Sequence, residues 1–237
     1  MVALASVDTQ DRLIDRVQRL VEKSDYRRAD TAEERDAIFR LRYRAYLAEG
    51  AIAENDSKSF SDARDDDPNA YTYGIYVDDE LVSSIRLHVA TPRHPGLPAL
   101  TVFGDLLEPE IAAGKVIVDP TRFVADKEAS RRHPELCYVT TRLGWLAGEY
   151  FAARYILATV RAEHQAFYRR TFGHKVICEP RHYPSLMKPI SLMALDFPMH
   201  RERVIKRYPF LRSSTFERRM LFSLPKASDA ASLPRAA

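Results

Sequence analysis

Lys115-Val116-Ile117-Val118-Asp119-Pro120-Thr121-Arg122-Phe123 is the stretch on which the fold turns. Three β-branched residues in a row, Val116 to Val118, predict a buried strand. Pro120 interrupts it. Proline cannot donate to a sheet ladder, so a bulge or an edge is expected there. In a regular strand Asp119 and Arg122, three residues apart, face opposite sides. A bulge at Pro120 turns both towards one side. The stretch therefore predicts a kinked strand carrying a carboxylate and a guanidinium.

Working outward, Tyr71 to Val77 and Leu81 to Val89 read as two strands. Asp78-Asp79 supplies hairpin-turn chemistry between them. On the C-terminal side, Pro134 to Ala153 reads as a long helix and Tyr155 to Val160 as a short buried strand. Glu163 to Phe172 is a helix stopped by Gly173, Lys175 to Cys178 and Ile190 to Leu195 are strands, and His200 to Tyr208 is helical. Further upstream, Leu13, Ile14, Val17, Leu20 and Val21 recur at helical spacing over residues 8–23. Asp25 to Asp30 is a short strand. Thr31 with Glu34 three residues on forms a capping box. The helix it opens carries Ile38, Phe39, Leu41 and Tyr46 and ends near Gly50. Residues 51–70 are a long acidic loop, residues 91–99 a proline-rich one, and Val102 to Leu107 a short helix. The order predicts a mixed α/β (α+β) fold with a mostly antiparallel sheet. The expected organisation is an N-terminal helix over 1–24, one domain over 25–210, and a C-terminal extension over 211–237 whose Ala/Ser/Pro-rich end reads as a mobile tail.

Composition narrows the class. No apolar run reaches the roughly 18 residues of a membrane span. The N-terminal residues lack the basic and apolar regions of a secretory signal. Cys137 and Cys178 are the only cysteines. They cannot build a disulfide framework, which fits a reducing, cytoplasmic setting. The chain has eight glycines. None forms a dinucleotide or nucleoside-triphosphate cradle, and no G-x-S-x-G elbow is present. Cys178 and His182 supply only two potential ligands, so no metal site is expected. The net charge of +3 hides an asymmetry: residues 1–130 carry 17 basic and 25 acidic residues, residues 131–237 carry 19 and 8. A balance of −8 against +11 suggests an electrostatic partner for the second half, with nucleic acid, an anionic membrane surface and an acidic protein as candidates. Nucleic acid is the alternative raised by Arg201, Arg203, Lys206, Arg207, Arg212, Arg218 and Arg219, but no recognition motif accompanies them.

Three features carry chemistry. Arg42 and Tyr46 are i,i+4 neighbours on one helix. Arg86 sits inside the otherwise apolar strand Ser84-Ile85-Arg86-Leu87 and needs a partner, since an unpaired buried charge is costly. Asp119 and Arg122 lie on the kinked strand. Together they gather three arginines, and carboxylates able to pair with them, near the sheet centre. That is an expensive arrangement for structure alone.

The run L-R-Y-R-A-Y at 41–46, the acidic loop, I-R-L-H-V-A-T-P at 85–92 and V-D-P-T-R-F at 118–123 resembles the acyl-homoserine-lactone synthases. It resembles still more their relatives, the N-acyl amino acid synthases, within the GNAT acyltransferase superfamily. The likeness covers roughly residues 25–197. It implies a GNAT-like sheet with a splayed, bulged strand. It also implies transfer of a fatty acyl group to an amine, with acyl carrier protein or acyl-CoA as donor and no permanently bound cofactor. Carried over residue by residue, it places Arg42, Tyr46, Asp62, Asp65, Arg86 and Phe123 at the substrate. Asp119, standing where the family has glutamate, Arg122 and Tyr168 fall in catalytic positions. Val118, Thr140, Leu143 and Trp145 fall along the acyl and pantetheine arm. Ile52 replaces an expected tryptophan, which argues for an acceptor other than the homoserine-lactone precursor. Tyr138 to Trp145 lacks the superfamily's glycine-rich pyrophosphate turn, which argues for carrier protein over coenzyme A. A non-catalytic module that binds carrier protein or lipid is the alternative from another class.

Overall fold

Alternation along the central strands divides the molecule into two faces. The computed structural model describes residues 2–184 and 187–223. Its seven strands are β1 (Ser24–Arg28), β2 (Ala70–Val77), β3 (Glu80–Ala90), β4 (Ile117–Ala125), β5 (Tyr155–Val160), β6 (Lys175–Val176) and β7 (Ser191–Asp196). They form one sheet in the order β1-β2-β3-β4-β5-β7-β6. Among the described strands only β4 and β5 run parallel. The hairpin β2–β3 turns on Asp78 and Asp79, both at positive φ (51° and 62°), as its two-residue loop demands.

On one face Tyr73, Ile85, Leu87 and Val118 join Leu136, Val139, Leu143 and Trp145 of helix α5 (Leu136–Tyr150) in the larger core. Helix α1 (Val2–Glu22) closes that core with Val17 and Leu20. The opposite face carries α2 (Ala32–Ala48) and α3 (Leu100–Ala112), and a smaller core of Ala90, Leu97, Phe103 and Ile117. The capping box at Thr31 forms as expected, and Gly50 takes a positive φ just past the end of α2. Helix α3 is longer than expected. The expected helix 134–153 is preceded by a separate short one, α4 (Lys127–Arg132), capped by Asp126. Two further helices are α6 (Gln165–Thr171) and α7 (Phe197–Arg207).

The boundary expected at 211 falls inside packed structure. Helix α8 (Thr215–Phe222) lays Phe222 against Tyr71 and Tyr73, each ring 5.9 Å away. Buried Arg142 of α5 donates to the carbonyls of Phe210 (2.7 Å) and Arg212 (2.8 Å) and to Glu217 (2.6 Å). The chain to Ser223 is thereby part of the domain. The expected mobile tail falls chiefly on residues 224–237, outside the described residues.

Between α5 and β5 the packing has no spare room. A Cβ added at Gly148 would lie 2.7 Å from Ile156 Cδ1 and 3.1 Å from Phe197 Cε2. Gly148→Ala is expected to lower unfolding free energy by about 1–3 kcal/mol through overpacking, read as a lower urea midpoint with unchanged slope.

Candidate active site

Strand β4 pairs with β3 along its length but with β5 only at Ile117↔Tyr155 and Val118↔Ile156. Beyond Val118 the two strands part. The irregularity in β4 is not at Pro120, which pairs in register with Leu87. It lies three residues beyond the start of the split: Thr121 pairs with Arg86 and Val124 with Ser84, so Arg122 and Phe123 together oppose Ile85. Arg122 takes φ +53°. This bulge keeps Arg122 on the α2 face, the face of Thr121 and Asp119, and sends Phe123 to the α5 face, where it packs against the larger core. The predicted outcome, Asp119 and Arg122 on one side, is reached from a different residue. Phe123, expected at the substrate, faces away from the charged cluster.

Arg86 and His88 share the α2 face by two-residue alternation. Over them sits the acidic loop, which is more ordered than its composition suggests. Asp62 caps a 3-10 turn, Ala63–Asp66, with a reciprocal bond from the Asp62 amide to Asp65 (3.1 Å). The turn presents both carboxylates to the arginines. Asp65 accepts both contacts from Arg42 Nη1 (2.8 and 3.0 Å) and lies 3.0 Å from Arg86 Nη1. Asp62 takes Arg86 Nη1 at 2.6 Å and the Arg122 guanidinium. Of the loop aspartates, Asp62 and Asp65 are thus the two that meet the arginine cluster. Arg86 also reaches Thr121 Oγ1 (3.3 Å). Arg122 stacks over Phe60 (4.7 Å to the ring centroid) and near Tyr46 (5.9 Å). Phe60 had no distinguishing signal in the sequence.

Burial is steep across this cluster. Arg42 and Arg86 are buried, the Asp65 side chain is 2% exposed, Arg122 8% and Asp62 28%, so Asp62 marks the mouth. Burial works against the Asp62 carboxylate, but the Arg86 hydrogen bond and the charges of Arg122 and Arg86 outweigh it and hold it well below the usual range. Asp65 is lowered in the same way, chiefly by Arg42 against its own burial. Three guanidiniums face two such carboxylates. Arg42 keeps Nε and Nη2 buried without a hydrogen-bond partner.

Asp119 is the first residue of β4 past the split. It is fully buried, and it is not paired with Arg122. Its Oδ2 accepts the Ala99 amide (3.1 Å) and its Oδ1 meets no protein partner. Burial pushes its carboxyl up to about 7, against the pull of the Ala99 amide and Arg86. Tyr168 of α6 packs with Phe167, Phe172 and His174, and burial raises its phenol. Val118, Thr140, Leu143 and Trp145 are buried in the larger core. Thr140 Oγ1 bonds Ser83 Oγ (2.8 Å), and Trp145 lies 4.8 Å from Phe197 and 6.0 Å from Phe172, ring to ring. As the structure stands they are core contacts. Cys137 is half-buried and its thiol is pushed up to about 11 by burial, the reverse of an activated nucleophile. Among the described residues no group of three His, Cys, Asp or Glu side chains is placed to hold a metal ion.

A sheet whose parallel neighbours part at mid-strand, with a buried ionisable pair-network beside the opening, is the frame of a GNAT-type acyltransferase. Among solved structures, FeeM, an N-acyl amino acid synthase from uncultured soil microbes, superposes with a TM-score of 0.63 at 22% identity, covering 78% of this chain and 96% of that one. TofI, solved with an inhibitor and MTA, gives 0.57 at 16% identity, covering 80% and 100%. BjaI, a CoA-dependent acyl-homoserine lactone synthase solved with MTA, gives 0.51 at 12%, covering 78% and 88%. No curated protein matches the sequence. The profile of the family N-acyl amino acid synthase FeeM matches residues 37–196. The chain belongs to that family: it is an acyltransferase that makes N-acyl compounds.

Proposed function

We propose that the protein moves a fatty acyl group from the pantetheine thioester of an acyl carrier protein to the primary amine of an amino acid. The observation that carries this reading is the parting of β4 from β5 at Asp119, beside a cluster with one more guanidinium than carboxylate. An extended pantetheine arm fits between strand edges that no longer pair, and backbone N–H groups there polarise the thioester carbonyl. The surplus positive charge favours an acceptor that carries its own carboxylate. Asp119 takes a proton from the acceptor's ammonium, directly or through water. The freed nitrogen attacks the thioester carbon and the C–N bond forms; as the C–S bond breaks and the thiolate leaves, the nitrogen gives its second proton to water, so that the amide is neutral and the proton lent to the thiolate is replaced from solvent. In this reading Tyr168, whose burial keeps its hydroxyl protonated, returns a proton to that thiolate.

Charge supports carrier protein as the donor. Tyr138 at the start of α5 packs on Phe167 of α6 (5.3 Å) and on Tyr208 just after α7 (6.3 Å). Exposed Arg169, Arg170, Lys206 and Arg207 thus form a basic rim on the segments gathered around Tyr138, at the start of α5. A basic rim suits an acidic carrier protein and speeds its encounter, and two free cysteines suit a cytoplasmic setting. The test pairs acyl carrier protein and acyl-CoA, each with a panel of amino acids, with products read by mass spectrometry. Carrier-borne acyl groups are expected to give N-acyl amino acids at least tenfold faster than acyl-CoA at low salt, with the advantage shrinking as salt rises. Equal, salt-independent rates would remove the carrier. Acylation only of amines lacking a carboxylate would remove the acceptor class. A DNA mobility shift would point the basic half elsewhere.

A further inference from the structure

Two side chains on neighbouring strands of the site each keep a buried polar atom without a protein partner. His88 and Asp119 are direct cross-strand partners on the α2 face, a relation that brings Cβ atoms to about 4.5–5.5 Å. Asp119 Oδ1 and His88 Nδ1 are both buried and both unpartnered. The other ring nitrogen fixes the chemistry of the first. His88 Nε2 lies 3.1 Å from the Arg64 carbonyl and 3.3 Å from Asp67 Oδ2. Both are acceptors, so Nε2 carries the hydrogen. The neutral ring then presents a lone pair at Nδ1. Burial, helped by the charge of Arg86 and opposed by Asp67, keeps that ring neutral by lowering it to about 4. The charged groups facing His88 are Arg86 on its own strand, Asp119 on β4, and Asp67 with the Arg64 carbonyl from the acidic loop.

We propose that His88 is a positioning residue with two separate tasks: Nε2–H ties down the turn that carries Asp62 and Asp65, and Nδ1 forms with Asp119 Oδ1 a two-acceptor cradle that shares one proton. This deepens the assignment of Asp119 as the base and rests on it. When Asp119 is ionised, the two acceptors need one donor between them, which an ammonium N–H or a water molecule supplies. When the proton passes to Asp119, its O–H donates to Nδ1, the amine keeps its lone pair, and no further charge is created. The sequence held the signal in Arg86-Leu87-His88, where alternation puts the histidine on the arginine's face.

Two substitutions separate the tasks. His88→Gln places an amide N–H near the Nε2 position and keeps the tie to Arg64 while losing the Nδ1 acceptor. His88→Asn does the reverse. In His88→Gln, the acid limb of the pH profile of kcat/KM is expected to fall by about one pH unit, because the protonated form of Asp119 loses its acceptor, while KM for the amine rises by less than in His88→Asn. His88→Asn is expected to keep the limb near its original pH and raise KM at least tenfold. Loss of rate in both with no movement of the limb would mean a purely structural histidine and overturn the proposal. A readout independent of activity is nitrogen-15 NMR of the ring. A neutral Nε2–H tautomer is expected, with an Nδ1 resonance that titrates near neutral pH without ring protonation and becomes flat in Asp119→Asn. An Nδ1–H tautomer, or a titration that survives Asp119→Asn, overturns the cradle even if no acyl donor is ever found. A normal NMR result with no transfer to any amine would instead fault the proposed reaction.

Discussion

Replacing Arg86 by methionine is expected to abolish measurable acyl transfer and to lower unfolding free energy by on the order of 3–5 kcal/mol, the range for removing one partner of a buried ion pair. Arg86 is the hub of the cluster: one guanidinium reaches both Asp62 and Asp65 and leans on Thr121. Without it, Asp65 keeps Arg42 and Asp62 keeps Arg122, but two carboxylates then share a buried space with less positive charge. Among the described residues the turn that carries them has no other side-chain tie to β3 except through His88. Arg86→Lys restores the charge but not the fork, so partial stability with little activity is expected. Urea unfolding of both variants, read beside product formation, is the check. A methionine variant as stable as the parent would mean that the network contributes nothing to the fold. Full activity in it would remove the arginine cluster from the site.

The second large effect is at Asp119. Asp119→Asn is expected to reduce kcat about 10²–10⁴-fold, the usual contribution of a positioned base, and to erase the acid limb of the rate profile near pH 7. Stability should move the other way. A buried carboxyl whose folded value is about 7, against roughly 3.9 unfolded, binds more protons folded than unfolded between those values. Its stabilising contribution is full below about pH 4 and is lost as pH rises towards 7, with a limiting slope of about 1.4 kcal/mol per pH unit. Asparagine has no such dependence. The difference in melting temperature, variant minus parent, is therefore expected to grow from pH 5 to pH 7.5. A difference that is flat with pH, together with an intact acid limb, would show that Asp119 does not titrate in this range.

Much of this was legible in the sequence, for local reasons. The Asp78-Asp79 hairpin, the capping box at Thr31 and the strand Tyr155–Val160 follow from turn chemistry, side-chain capping and β-branched runs. Arg42, Arg86 and Arg122 stood out because an arginine in an apolar context must find a carboxylate. What the sequence withheld was placement. The bulge was expected at the proline, but Pro120 lies past the last β5 pair and disturbs no β3 pairing, whereas Arg122, with nothing unusual in its side chain, takes the positive φ. Phe123 was drawn into the site by its neighbour and faces away by the same bulge. The C-terminal segment looked detachable because its composition weakens towards the end, yet Phe222 and Glu217 bind it to α5 through contacts some 70 residues apart in the chain.

The two rungs that join β4 to β5 leave a pair of bare strand margins inside the molecule rather than at its rim. Exposed margins ordinarily recruit another chain's backbone. Here they are turned inward, so whatever enters is read first by its amide spacing and only then by its side groups, as a peptide is when it extends a sheet. If the donor's arm enters here as proposed, its selectivity is written in main chain, and point substitution in this crevice should alter it less than any change that lets the margins zip shut.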